Sequence, residues 1–144
     1  MRRVARESVF KLVFEYTFYG TANEETLELM LVDANLTEDD KAYISQTYAG
    51  VLTEEKELKK IIEEHLEGYS LDRIYRPDYA VLLLATYELG KKTAPVPVII
   101  NEAVELSKKF GTDKSGAFVP FVSFLPDPCR PSHFSRTSFR PIRC

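Results

Sequence analysis

The sequence has few of the residues that metal sites and covalent catalysis depend on. It contains two histidines and two cysteines in 144 residues, and both cysteines, Cys129 and Cys144, lie close to the end of the chain. A zinc site needs roughly three or four ligands gathered in space, and a disulfide scaffold needs cysteines in the body of the chain. The six glycines stand singly, so no phosphate-binding loop or dinucleotide fingerprint is present. We therefore predict a protein that is not an enzyme, with no cofactor and no catalytic or metal-binding residues.

Long apolar runs are also missing. The sequence has no run of about 18 apolar residues, so we expect no transmembrane helix. Its N-terminus lacks the apolar segment of a signal peptide, and we expect no membrane association and a cytoplasmic location. Alternation of apolar and polar residues between hairpin turns is absent too, which argues against β-strands.

Charge is unevenly distributed along the chain. The net charge is −3. Residues 120–144 contain four arginines and one aspartate, a balance of +3, which leaves residues 1–119 at −6. An acidic body does not suit a general coat for nucleic acid. Any RNA binding must therefore come from a local basic patch.

The stretch 76–111 predicts a helix at the centre of the fold. Pro77 suits the first turn of a helix, where its missing N–H would have no intrahelical partner. Residues 81–85 are apolar all the way round, which is typical of a helix buried among others. Gly90 is the predicted C-cap of this helix.

A second, amphipathic helix is predicted from about Pro97 to Phe110. Its polar side contains Glu102, and Glu105 and Lys109 are spaced to form an i,i+4 pair. Gly111 is predicted to end the helix. Together the two helices form a hairpin that would be the core of the protein.

The preceding chain also has helical periodicity. A first helix is predicted to run to about Tyr19, with an apolar stripe formed by Val9, Phe10, Val13, Phe14 and Phe18. Gly20 is predicted to close it, and Asn23 and Thr37 are predicted N-caps of the next two helices. Periodicity then continues to about residue 66, with a bend or break near Gly50 or Thr53. We predict an all-α protein of about six or seven helices.

Several short motifs resemble the signature of a known family. They are Tyr87-Glu88-Leu89, the run Val-Pro-Val-Ile-Ile-Asn-Glu-Ala at 96–103, Glu105-Leu106, Lys109-Phe110-Gly111, Arg6-Glu7 at the start, and Ser115 with Phe118-Val119. In this order and spacing, over about residues 1–119, they resemble the NusB family of bacterial transcription antitermination factors. The resemblance implies one domain over 1–125, built of two small helical bundles packed together. These would span about 1–66 and about 70–119.

The arginines at the start of the first helix are the first candidate site. Arg2, Arg3 and Arg6 lie near helix N–H groups that favour an anion, although a solvated chain start is the ordinary alternative. The resemblance implies that the family binds boxA RNA of ribosomal RNA operons through this arginine-rich opening. These three arginines are therefore candidate RNA-binding residues.

A second candidate RNA contact follows Gly111. Asp113 or Ser115 predicts a helix N-cap, with Lys114 beside it and Phe118 one turn on, and RNA bases stack on aromatic rings. The alternative is that Phe118 is a core anchor and Asp113 a plain cap. By resemblance, this loop lies on the RNA face, so Lys114 and Phe118 are candidates and Asp113 and Ser115 weaker ones.

The resemblance also implies a protein partner, NusE, which is a ribosomal protein as well. Positions matching Phe14 and Asp78 would face NusE, although Phe14 also fits a plain core role. Asp78 is expected to have no structural role beyond a favourable interaction with the helix dipole. The pair would join RNA polymerase with other Nus factors and suppress termination, and a homodimer is left open.

Two other functions remain open at this stage. One is an RNA-binding module related to the NusB-like part of ribosomal RNA cytosine methyltransferases, which the absence of methyltransferase sequence downstream disfavours. The other is a helical protein-interaction or dimerisation domain without RNA.

The chain departs from the family pattern after Val119. Five of the eight prolines fall there, and no lysine, glutamate, alanine or glycine does. Whether this reflects an altered reading frame or a divergent terminus is left open. Because prolines interrupt helices, a helix beginning near Ser115 is predicted to stop at Val119. Residues 126–144 are predicted to be a disordered tail.

Overall fold

Six α-helices and no strand make up the part of the chain that the computed structural model describes, residues 2–65 and 74–111. The helices are α1 (Arg2–Tyr19), α2 (Glu24–Leu31), α3 (Glu38–Thr53), α4 (Glu55–His65), α5 (Arg76–Lys91) and α6 (Val96–Phe110). The all-α prediction is confirmed. The predictions for a helix at 115–119 and for the tail at 126–144 lie outside the described residues.

Local capping signals determine the start of two helices and the end of α1. The Asn23 side chain accepts a hydrogen bond from the backbone N–H of Thr26 at 3.1 Å. The Thr37 hydroxyl accepts one from the N–H of Asp40, also at 3.1 Å. Gly20 adopts a φ of 73°, which glycine reaches without strain. These three predictions are confirmed because each depends only on neighbouring residues.

The ends of two other helices differ from the prediction or refine it. The long helix predicted to residue 66 is split at Glu54, which separates α3 from α4. The prediction that Gly90 caps α5 is wrong: α5 continues to Lys91, and Lys92 takes the left-handed cap with a φ of 56°. The N–H of Lys92 donates to the carbonyl of Glu88, so the last turn is closed without a glycine at the cap.

Helix α5 lies at the centre of the fold. Residues 81–85 are all buried, as their apolar character predicts. Helix α5 packs against α1, α4 and α6, and a single buried cluster draws on α1, α3, α4, α5 and α6. Each end of α1 lies next to α5 or next to a helix that packs against α5. The division into two bundles stays a prediction.

The face of α1 that is buried differs in part from the predicted stripe. Val9, Phe10 and Val13 are buried and Phe14 is partly buried, but Phe18 is 56% exposed. Phe18 is the second-last residue of α1, and the guanidinium of Arg76 lies over its ring at 4.4 Å from the ring centroid. The burial of Phe18 was therefore wrongly predicted.

Candidate nucleic-acid and partner interfaces

The three arginines at the start of α1 each have a carboxylate partner, but their exposure differs. An Nη2 of Arg2 lies 2.5 Å from Oδ2 of Asp39, with the two side chains 40% and 81% exposed. The Arg2 guanidinium also lies 4.3 Å from the centroid of the Tyr43 ring. Its Nε lies 3.9 Å from Oδ1 of the buried Asp40, so Arg2 lies between two carboxylates and an aromatic ring.

Arg3 is the most exposed of the three. Its Nε donates to Oε2 of Glu102 at 3.2 Å and its Nη2 donates to Oε1 at 3.0 Å. The Arg3 side chain is 61% exposed, whereas that of Glu102 is 11% exposed. The hydrogen bond and the charge of Glu102 raise the pKa of Arg3 above its ordinary value. Glu102 was predicted on the exposed polar side of α6; that prediction is wrong because this carboxylate turns inward to α1.

Arg6 is buried. Its Nε donates to Oε2 of Glu88 at 3.0 Å, and the side chains are 5% and 1% exposed. The hydroxyl of Tyr43 donates to the same carboxylate. Burial and the charge of Glu88 raise the pKa of Tyr43 above its ordinary value. This cluster joins α1, α3 and α5, so the Arg6 guanidinium braces the helices and is turned away from the surface.

A cleft runs between the start of α1 and the second half of α6. Its lining residues are Arg3, Arg6, Glu7, Glu102, Glu105, Leu106, Lys108 and Lys109. The pair predicted between Glu105 and Lys109 is replaced: Lys109 donates to Glu7 at 3.0 Å, and Glu105 lies 3.9 Å from Lys108. The lysines of α6 therefore extend the charged surface that Arg2 and Arg3 begin.

Sequence reasoning did not assign roles to Glu88, Glu102 or Tyr43. Glu88 offered a signal, because a single carboxylate among the apolar residues of a buried helix requires a charged or hydrogen-bonding partner. Glu102 offered none, since its spacing suits an exposed face. Lys114 and Phe118, together with Asp113 and Ser115, lie outside the described residues, and their roles stay predictions.

The opposite end of α1 presents an aromatic cluster. The Phe14 ring centroid lies 6.0 Å from that of Phe10 and 5.0 Å from that of Phe18. Nη1 of Arg76 donates to the carbonyl of Thr17 at 2.6 Å. Phe14 thus belongs partly to the core, while Phe18 and Arg76 form the surface above it.

Asp78 is buried, with 2% of its surface exposed. It was expected to lie at the surface in the first turn of α5, with no structural role beyond the helix dipole. That expectation is wrong because α5 enters the core directly after the exposed Arg76, so that Pro77 is buried as well. Replacing Asp78 by lysine would therefore disturb the fold as well as any surface.

Within residues 2–65 and 74–111, no group of three or more His, Cys, Asp or Glu side chains is placed to hold a metal ion. Among the helices described there, none is both long enough and apolar enough to cross a membrane.

The family profile described as the NusB family matches residues 3–120. The chain belongs to the NusB family. The predicted family is confirmed, and the match ends where the sequence departs from the family pattern. NusB-family proteins are non-enzymatic, RNA-binding factors of transcription antitermination.

Similar NusB proteins come from several bacteria. The chain is 36% identical over 119 residues to transcription antitermination protein NusB of Acetivibrio thermocellus, covering 82% of each chain. It is 38% identical over 119 residues to that of Bacillus subtilis, covering 82% of this chain and 88% of the relative. The chain is therefore similar to these relatives over most of their length.

Solved NusB structures have the same fold. T. maritima NusB matches with a TM-score of 0.78 and 34% identity, over 87% of this chain and 89% of that one. A crystal structure of antitermination factors NusB and NusE in complex with dsRNA matches with a TM-score of 0.75 and 25% identity. That match covers 86% of this chain and 94% of the solved one.

Proposed function

We propose that this antitermination factor binds the boxA RNA of ribosomal RNA operons together with NusE. In this proposal the pair joins RNA polymerase with other Nus factors, and the protein acts in the cytoplasm, where bacterial transcripts are made. The observation that carries the proposal is the similarity to the NusB of a NusB–NusE–dsRNA complex. Arg2 and Arg3, which are partly exposed and exposed at the start of α1, support it independently.

Arg2 and Arg3 are the proposed phosphate contacts among the described residues. Arg3 is exposed and Arg2 is partly exposed, and the N–H groups and dipole of the first turn of α1 also favour an anion. Because residues 1–119 have a net charge of −6, the attraction must be local. In the proposal Lys114 adds charge and Phe118 stacks on a base, whereas Arg6 contributes by holding α1 in place.

NusE is proposed to bind at the other end of α1, around Phe14 and Asp78. Phe18 and Arg76 are exposed in this region, and the Phe18 ring is packed edge-on against Phe14. Large, rigid aromatic side chains and arginine are enriched at protein interfaces, and Arg76 lies over the Phe18 ring. Asp78, being buried, would contribute by fixing the start of α5.

A titration of labelled boxA-type RNA, followed by fluorescence anisotropy with and without NusE, tests the RNA site. The double variant R2A/R3A should bind more weakly. For single-stranded RNA, the slope of log affinity against log salt should fall by about 0.7 for each phosphate that the variant no longer neutralises. The control K59A/K60A removes the same charge from exposed positions on α4. Equal affinities of R2A/R3A and the control would remove the arginines from the site.

A pull-down with NusE tests the partner site. F18A should weaken retention of NusE while leaving RNA binding without NusE unchanged, because Phe18 lies at the far end of α1 from Arg2 and Arg3. L29A is a matched control, since Leu29 is 71% exposed on α2. Full retention of NusE by F18A would contradict the proposed surface.

The similar proteins also help to choose between antitermination and the alternative functions. Those matched along 82% to 92% of their own length are named transcription antitermination protein NusB. This favours the antitermination role over an RNA-binding module of a methyltransferase. A helical interaction domain without RNA would show no affinity in the anisotropy titration, and a homodimer would be seen by size-exclusion chromatography.

A further inference from the structure

The contact between Arg3 and Glu102 leaves part of the guanidinium unused. Glu102 accepts from Nε and Nη2. Arginine carries five N–H donors in a planar fork, and no hydrogen bond from Nη1 occurs among the described residues. With 61% of the Arg3 side chain exposed above a carboxylate that is only 11% exposed, the remaining donors are open to solvent.

We propose that Glu102 is a positioning residue for RNA: it fixes one edge of the Arg3 guanidinium and thereby presents the other edge to a phosphate. The inference rests on the proposed function, since it takes Arg3 as a phosphate contact. An arginine side chain is long and loses rotamer freedom when it binds. Glu102 removes that freedom before RNA arrives, because it is itself held among buried residues of α6 and cannot follow the arginine outward.

If Glu102 does not position Arg3, removing it is expected to change the RNA affinity in the opposite direction. A carboxylate beside RNA repels phosphate, so its removal would ordinarily tighten binding. If Glu102 positions Arg3, removing it must weaken binding although the protein becomes less negative. The two effects can thus be separated by the direction of one measurement.

The test compares R3A, E102A and R3A/E102A in the anisotropy titration with boxA-type RNA over a range of salt. E102A should weaken binding about fivefold, the equivalent of about 1 kcal/mol for ordering one long side chain at an interface. Its salt slope should equal that of the unaltered protein, because Arg3 still reaches the phosphate. R3A should lower the slope, and E102A should cause no further weakening in the R3A background.

Two controls separate positioning from loss of structure. E105A removes a carboxylate one turn along α6 that pairs with Lys108. The charge of Glu105 also acts on Arg3, but among the described residues Glu105 accepts no hydrogen bond that fixes the guanidinium, so E105A should bind RNA equally well or more tightly. NusE retention by E102A should be unchanged, as should its helical circular dichroism.

The outcomes distinguish the inference from the function on which it rests. If R3A binds as well as the unaltered protein, Arg3 is not a phosphate contact, and both the proposed site and the role of Glu102 fall. If R3A weakens binding but E102A leaves it unchanged or tightens it, the site stands and the positioning role is overturned. Further weakening by E102A in the R3A background would likewise overturn it.

Discussion

The buried pair of Arg6 and Glu88 predicts a large loss of stability when either partner is removed alone. Replacing Arg6 by methionine keeps an apolar stem of similar length but leaves the Glu88 carboxylate buried, with Tyr43 as its remaining donor. Removing one partner of a buried ion pair destabilises proteins by about 3–5 kcal/mol, because the other charge stays without compensation. The side chains here are 5% and 1% exposed, so water cannot replace the missing partner.

The loss of stability is also expected to differ between the single and the double variant. R6M/E88L removes both charges and should be more stable than R6M alone, since a buried pair exchanged for apolar residues is often neutral or stabilising. The matched control is R3M, which removes an arginine that is 61% exposed. R3M should lower the free energy of unfolding by much less than R6M does, because water screens the charge of an exposed side chain.

Urea unfolding followed by circular dichroism at the helix band measures these differences. A domain of this size has a total stability of about 5–15 kcal/mol, so R6M should shift the midpoint strongly or leave the protein partly unfolded at low urea. A loss no greater than that of R3M, or equal losses for R6M and the double variant, would refute the reasoning.

Other parts of the structure support three more predictions. G50A should destabilise the protein by about 1–3 kcal/mol, because a Cβ at Gly50 would collide with the Tyr87 ring. G90A should stabilise α5 by about 0.5–1 kcal/mol, because the space around Gly90 is open. Chemical denaturation measures both changes in the free energy of unfolding, and equal effects would contradict the packing around Gly50. D39N should tighten RNA binding by about twofold in the anisotropy assay, because the exposed Asp39 carboxylate competes with phosphate for Arg2. Weaker RNA binding by D39N would contradict this prediction. Burial and the charge of a neighbouring glutamate raise the pKa of Tyr79 above its ordinary 10.0. The folded state thus keeps a proton that the unfolded state releases, and stability should fall as pH rises above 10. Unfolding titrations of Y79F should show a shallower fall, and an unchanged slope would rule Tyr79 out as its cause.

Local patterns predicted most of the fold, because helices are specified by neighbours in sequence. The caps at Asn23 and Thr37 and the buried run at 81–85 needed only residues within one or two turns. The cap at Gly90 was predicted wrongly for an equally local reason. A glycine can end a helix, but α5 continues to Lys91, and Lys92 takes the left-handed conformation at the cap.

The candidate site was less predictable because its charges pair over long distances in sequence. Arg6 and Glu88 are 82 residues apart, and Arg3 and Glu102 are 99 apart. Composition and spacing identified the arginines as a basic cluster but gave no sign that one of them would be buried. Which arginine faces solvent depends on how α1 lies against α5 and α6, and that is set by the whole core.

These long separations have a consequence for synthesis on the ribosome. Chains emerge at about 5–20 residues per second. The 82 residues between Arg6 and Glu88 thus take about 4 to 16 s to be added. During that interval the carboxylates that will later pair with Arg3 and Arg6 have not yet been added to the chain. The nascent chain therefore contains two arginines without their carboxylate partners until α5 and α6 have been synthesised, and α1 cannot form its buried ion pair before then.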